Sequence, residues 1–166
     1  MSPPWLRPLE VDRLADGGAD VDFAIPLAEL SGLRPERPDV VGNVAGRAHF
    51  MRERGFAVAE LSFSGTATLQ CQRCLQPTQQ PLSTRVRVAL VDSEEKGARV
   101  PEDLEPMLAA GGRISIGELV TEELLLSLPA VPLHARPCGG AGAATEEASG
   151  ETHRPFAQLA DLLKRK

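Results

Sequence analysis

Two short segments hold the residues of this chain that are best suited to binding a metal. Cys71 and Cys74 form a CxxC motif, and His134 and Cys138 form an HxxxC segment that begins sixty residues after Cys74. Two thiolates from one tight turn can approach a single Zn²⁺ ion at about 2.3 Å each, and an imidazole with a third thiolate completes a Cys3His set. The sequence therefore predicts a zinc site at Cys71, Cys74, His134 and Cys138.

Other interpretations of these residues stay open at the sequence level. The CxxC spacing is fairly specific, whereas HxxxC is a weak signal, so the alternatives are a free-thiol pair on a β-turn and an unrelated cysteine and histidine in a loop. The competing function is a thiol–disulfide oxidoreductase that uses Cys71 and Cys74. Such enzymes place the motif at a helix N-terminus, but here Pro77 follows and strand patterns flank both sides. A Cys–His hydrolase with His134 as base lacks a recognisable oxyanion-hole motif.

The composition limits how the chain could contact nucleic acid. Its 166 residues, 42% of them hydrophobic, suit one domain with a core and some tail. The formal charge is −5, so no global basic field attracts polyanions. With five Phe, one Trp and no Tyr, there is little aromatic surface on which bases could stack. Contact with RNA must therefore come from local basic groups or through a protein partner.

The sequence also predicts the compartment. No apolar run reaches the length of a membrane span, and the N-terminus lacks the basic and apolar regions of a secretory signal. Three cysteines, two of them in a CxxC motif, argue against a disulfide framework and for a reducing environment. We therefore expect a cytoplasmic protein with no membrane contact and no small-molecule substrate.

The hydrophobic periodicity predicts an α+β fold with a barrel-like antiparallel β meander. Residues 1–20 are rich in Pro, Gly and Asp and are expected to lie extended on the surface. Alternating apolar residues between Val21 and Leu90 predict successive strands, with the CxxC motif at one turn and a break or bulge at Gly65. The acidic stretch 93–112 is predicted to be a loop with one helical turn.

Helices are predicted after this β-rich part. A capping-box pattern precedes a leucine-rich helix over 116–128, which completes a core domain spanning 21–138. Residues 139–152 are rich in Gly, Ala and Glu and predict a flexible linker. A final amphipathic helix is predicted over 153–166.

Several segments, in this order, resemble the YceD family of large ribosomal RNA subunit accumulation proteins, in its proteobacterial form. The resemblance covers most of residues 20–166. It is carried by LQCQRCLQP around the cysteines, LLLSLP at the end of the leucine-rich helix, the following VPLH, and the terminal RPFAQLADLLKRK. The cysteine run and the terminal helix are its specific parts.

This resemblance implies a non-enzymatic bacterial factor that supports 23S rRNA accumulation and large-subunit assembly. Its partner would be pre-rRNA or a large-subunit ribosomal protein, and metal and RNA binding are both implied. Cys71 and Cys74 correspond to the family's paired cysteines. His134 and Cys138 fall in a later segment whose cysteine spacing varies among related proteins, so a metal could also take two ligands here and others from a partner.

Arg73 is a candidate contact for RNA or a partner, because a turn between two cysteines would expose it. It could touch phosphate beside a zinc knuckle, or it could be a solvated residue whose charge favours thiolate formation.

The predicted tail helix carries the remaining candidates. Phe156 and Leu159 begin an apolar stripe that would dock on a partner or pack on the chain's own core. Lys164, Arg165 and Lys166 follow the stripe and could either grip RNA or complement the helix dipole.

Overall fold

A mostly antiparallel β-sheet forms the centre of the fold. The computed structural model describes residues 3–35 and 40–138, and over these residues the fold is α+β, as the sequence predicts. The strands in chain order are β1 (Leu9–Glu10), β2 (Asp20–Pro26), β3 (Val41–Glu53), β4 (Phe56–Gln70), β5 (Pro77–Val91), β6 (Glu105–Leu108) and β7 (Arg113–Ile114). The helices are α1 (Val11–Gly17), α2 (Glu94–Gly97) and α3 (Ile116–Ser127).

The main sheet has the strand order β2-β3-β4-β5-β6. Its first four strands are consecutive and antiparallel, which confirms the predicted meander, and β1 pairs separately with β7. The outer strands of the sheet are β2 and β6, and in the described part of the chain no ladder joins them, so the sheet is open rather than a closed barrel.

The stretch 93–112 was predicted as a loop, and this was only partly right. It contains the one expected helical turn, α2, but also strand β6, which pairs parallel to β5 with Val88 opposite Glu105. The strand has four residues, includes Pro106 and is mostly exposed, so it shows no alternation of apolar and polar residues that could have revealed it.

The prediction that residues 1–20 lie extended was wrong for their second half. Helix α1 forms there and buries Val11 and Ala15, one turn apart, in the core. It ends at Gly18, whose φ of 58° lets it adopt the left-handed conformation of a helix C-cap. The Pro-, Gly- and Asp-rich composition gave no sign of this helix, because only one turn of it contributes buried residues.

Gly65 does not break or bulge β4, contrary to the prediction. The ladder runs through it without interruption, with Val44 opposite on β3 and Leu82 opposite on β5. A Cβ at this position would overlap the carbonyl oxygen of Asn43. Glycine at this position therefore allows the backbones of β3 and β4 to approach closely.

Helix α3 agrees closely with its prediction. The Ser115 hydroxyl accepts a hydrogen bond from the Glu118 N–H at 3.1 Å, and the Glu118 carboxylate accepts one from the Ser115 N–H at 2.7 Å. This capping box begins the helix, and Leu128 caps its C-terminal end before Pro129. The helix buries most of its apolar side chains in the core: Ile116, Leu119, Val120 and Leu124.

The predicted linker 139–152 and tail helix 153–166 lie outside the described residues. Within the described part, no helix is both long enough and apolar enough to cross a membrane.

Candidate metal centre

The CxxC motif lies in the connection between β4 and β5. The Cys71 N–H donates to the Gln76 carbonyl oxygen, and the Leu75 N–H donates to the Cys71 carbonyl oxygen, both at 2.9 Å. Leu75 has a φ of 60°, in the left-handed region. These bonds tighten the hairpin loop, so that Cys71 and Cys74 present their sulfur atoms to one point.

Two hydrogen bonds hold the second segment against this loop after α3 has ended. The Gln72 N–H donates to the Pro132 carbonyl oxygen at 2.9 Å, and the Gln80 side-chain amide donates to the Leu133 carbonyl oxygen at 3.2 Å. They place His134 beside the CxxC motif. Sequence reasoning missed these supporting residues, because a carbonyl acceptor leaves no signature in side-chain spacing.

The structure brings the four predicted ligands together. Their ligand atoms all lie within 4.8 Å of one another. The Cys71 and Cys138 sulfur atoms are 3.5 Å apart, and His134 Nδ1 is 3.4 Å from the Cys74 sulfur and 3.1 Å from the Cys138 sulfur. A tetrahedral Zn²⁺ site would place sulfur atoms about 3.8 Å apart, and nitrogen about 3.6 Å from sulfur. The cluster could therefore hold a metal ion with small adjustments.

The imidazole of His134 is oriented for ligation through Nδ1. Its Nε2 lies 3.1 Å from the Pro77 carbonyl oxygen, and that oxygen can only accept, so Nε2 carries the proton. The lone pair on Nδ1 then points to the three sulfur atoms. Histidine ligands of metals are commonly fixed by such a bond to a second group.

The electrostatics of the cluster favour a bound cation. Burial raises the pKa of Cys71, but hydrogen bonds from the backbone N–H groups of Cys74, Arg73 and His134, and from the Cys138 thiol, outweigh it and lower that pKa to about 5. The pKa of Cys138 is raised, mainly by burial and then by hydrogen bonds to Cys71 and Cys74 and by their charges. One thiolate therefore forms readily, but a second or third thiolate would be repelled by its negative charge. A cation bound among the sulfur atoms would remove this repulsion.

Arg73 is exposed, and its Nη1 lies 4.0 Å from the Cys138 sulfur. This position is consistent with a guanidinium that favours the thiolate form. Its exposure also leaves it accessible to phosphate, so the predicted RNA contact stays a prediction. The other predicted contacts, Phe156, Leu159, Lys164, Arg165 and Lys166, lie outside the described residues.

The surroundings of the CxxC motif differ from those of a redox-active pair. Strand β5 follows the motif directly, starting at Pro77, so among the described residues no helix begins at the motif. The helix dipole that lowers the pKa of the first thiol in such enzymes is therefore missing. Nothing in the structure supports the oxidoreductase alternative.

Comparison with known proteins shows which family this chain belongs to. The sequence profile described as "Large ribosomal RNA subunit accumulation protein YceD" matches residues 59–163, more than half of the chain. The chain belongs to the YceD family. The matched range runs from β4 through both metal-site segments and into the tail, so the candidate metal centre lies within the family's own domain.

A curated relative carries the same description. It is the large ribosomal RNA subunit accumulation protein YceD of Haemophilus influenzae, 31% identical over 104 residues, which is 58% of this chain and 60% of the relative. This YceD-family chain therefore aligns with about 60% of that relative's length. No solved structure matches it.

Proposed function

We propose that this protein is a non-enzymatic, cytoplasmic factor that supports 23S rRNA accumulation and assembly of the large ribosomal subunit. The family match over residues 59–163 carries the proposal, because the family is described by large ribosomal RNA subunit accumulation. Its partner is pre-rRNA or a large-subunit ribosomal protein.

The metal centre has a structural part in this proposal. Zn²⁺ is the metal that best fits three thiolates and one imidazole, held by Cys71, Cys74, His134 and Cys138. Four protein ligands fill a tetrahedral zinc ion and leave no open position for water or substrate, which is the arrangement of structural sites. The bound ion would tie the β4–β5 hairpin to the segment after α3.

The centre would also set where the chain meets its partner. Cys138 is a ligand of this centre, and the Arg73 guanidinium lies 4.0 Å from its sulfur. We place the RNA or partner contact at this end of the molecule. Arg73 supplies one cation there, and we propose that Lys164, Arg165 and Lys166 add further cations to the contact, with the apolar stripe of the tail as a docking face. Local cations of this kind are required because the whole chain is acidic.

Depletion in the native bacterium tests the proposed function. Loss of the protein should lower the ratio of 23S to 16S rRNA and the 50S peak in sucrose gradients, and wild-type protein expressed from a plasmid should restore both. Complementation with Cys138→Ser should restore them less well than complementation with Glu29→Gln, a change at an exposed carboxylate. An unchanged rRNA ratio and 50S peak after full depletion would refute the proposal.

A further inference from the structure

A groove of about 680 Å³ lies between β6, β7 and α3, away from the metal centre. Its lining combines large apolar side chains with glutamates. Leu108 on β6 and Leu126 on α3 are 55% and 71% exposed, and they line the same groove. Glu105 on one wall and Glu122 and Glu123 on the other add negative charge.

Glu123 has an environment that a carboxylate normally avoids. Glu123 is only 6% exposed, and its carboxylate forms no hydrogen bond or ion pair with any described residue. Among the described residues, only Trp5 has a side-chain nitrogen or oxygen that is both fully enclosed and without a partner. The Glu123 oxygens have no partner either, so they are not fully enclosed, and they remain accessible from the groove that Glu123 lines. Partial burial without a protein partner disfavours the charged carboxylate, and a cation that enters the groove would offset this cost.

The groove supplies no cation of its own for this carboxylate. Its one arginine, Arg113, pairs with Glu10 at 3.0 Å. Burial, followed by the charges of Glu105 and Glu122, raises the pKa of Glu123. An occupant that brings positive charge would therefore relieve repulsion on both walls of the groove.

The same features exclude other classes of occupant. Nucleic acid would bring its phosphates against four glutamates, Glu105, Glu118, Glu122 and Glu123. A metal ion needs converging ligand atoms, and among the described residues only the cysteine–histidine cluster provides them. A second copy of this chain carries a net charge of −5, so long-range repulsion disfavours it as the occupant. What remains is a protein segment with cationic and apolar side chains.

We propose that this groove binds an extended basic segment of a large-subunit ribosomal protein, an inference that rests on the proposed function. A Lys or Arg side chain of the segment reaches Glu123, and its apolar neighbours cover Leu108 and Leu126. Recognition is through side chains, because Pro106 deprives the edge strand β6 of one N–H for strand addition.

The chain's own tail is the competing occupant. Arg154 precedes its apolar stripe, and its other three cations stand together at residues 164–166. The groove instead has carboxylates on both walls of an apolar floor, with Glu105 on β6 and Glu122 and Glu123 on α3. A segment whose cations alternate with apolar residues matches this arrangement better.

Site-specific photo-crosslinking of the full-length chain in cells tests the inference. Benzoylphenylalanine at Leu126 should crosslink to a Lys- or Arg-rich segment of a large-subunit protein, identified by mass spectrometry of the crosslinked peptide. Adding Glu123→Gln should lower the yield at least about fivefold, whereas adding Glu29→Gln should not change it. The same crosslinker at Val41, which is 55% exposed on β3 outside the groove, should not give this product.

Each other outcome would overturn the inference. A crosslink to residues 153–166 would identify the tail as occupant, and a crosslink to a second copy or to RNA alone would show a different partner. A yield no higher than at Val41, or one unaffected by Glu123→Gln, would also refute it. These failures are separable from failure of the proposed function, because depletion would still lower 23S rRNA if only the groove assignment were wrong.

Discussion

Removing one ligand of the metal centre should release the metal and destabilise the fold. Cys138→Ser is the better first variant, because Cys138 is partly exposed whereas Cys71 is fully buried, and a buried substitution would also disturb packing. Purified wild-type protein should contain close to one Zn²⁺ per chain by elemental analysis. Cys138→Ser should contain far less, because three ligands leave the tetrahedron open.

The size of the effect follows from the loop that the ion closes. Cys74 and His134 are separated by 60 positions, and a cross-link closing a loop of that length stabilises the folded state by about 4 kcal/mol through the entropy of the unfolded chain. For a chain of this size, about 1 kcal/mol shifts Tm by roughly 2–4 °C. Loss of the metal should therefore lower Tm by roughly 8–16 °C.

Differential scanning calorimetry with and without a chelator measures this directly. The chelator should lower the Tm of the wild-type protein and leave that of Cys138→Ser almost unchanged, because the variant has no ion to lose. Glu29→Gln, remote from the site, should behave as wild type. If freshly prepared, reduced wild-type protein holds no metal, or if the chelator leaves its Tm unchanged, the reasoning fails. Cys71 and Cys74 would then be a structural turn.

Three further predictions concern the groove, the sheet and the tail. Glu123→Gln should raise the free energy of unfolding by about 1 kcal/mol at pH 7 in urea titrations. Because the folded-state pKa of Glu123 is raised, the gain should shrink as the pH falls through that pKa and vanish below the unfolded value. Gly65→Ala should destabilise the protein by about 2 kcal/mol through backbone overlap, whereas Gly17→Ala, with open space, should not. A chain ending at Leu163 should show a shallower salt dependence of binding to pre-ribosomal particles than the full chain, and equal slopes would contradict a phosphate role for the three terminal cations.

Elements with a local signal could be predicted from the sequence. The alternation of Val44, Ala48 and Phe50 with polar residues identified β3, because every second side chain of a strand faces the core. The Ser115 and Glu118 pattern identified the start of α3, because a capping box is formed by residues three apart. In both cases the physical cause lies within a few residues of the chain.

Elements that depend on distant partners could not be predicted. Strand β6 is a strand only because β5 lies alongside it, and α1 is held by packing of Val11, Leu14 and Ala15 on the core and by ion pairs of its Asp12 and Asp16 with Arg52 on β3. At the metal centre, the sequence identified the ligand types. It did not identify the carbonyl oxygens of Pro132 and Pro77, which position the second segment and orient His134. Backbone acceptors are identical in every residue, so only the folded chain distinguishes them.

The two proposed contact regions lie towards opposite ends of strand β5, and their charges differ in sign. Pro77 starts the strand at the metal centre, and Val88, eleven residues later, lines the acidic groove, a separation of up to about 36 Å along the strand. Arg73 supplies positive charge at the metal end, whereas the described ion pairs include none to Glu105, Glu122 or Glu123 in the groove. An rRNA phosphate and a basic protein segment could thus be bound together without competing. Below its lowered Tm, Cys138→Ser should still give the Leu126 crosslink, and loss of that crosslink in a variant that remains folded would contradict this separation.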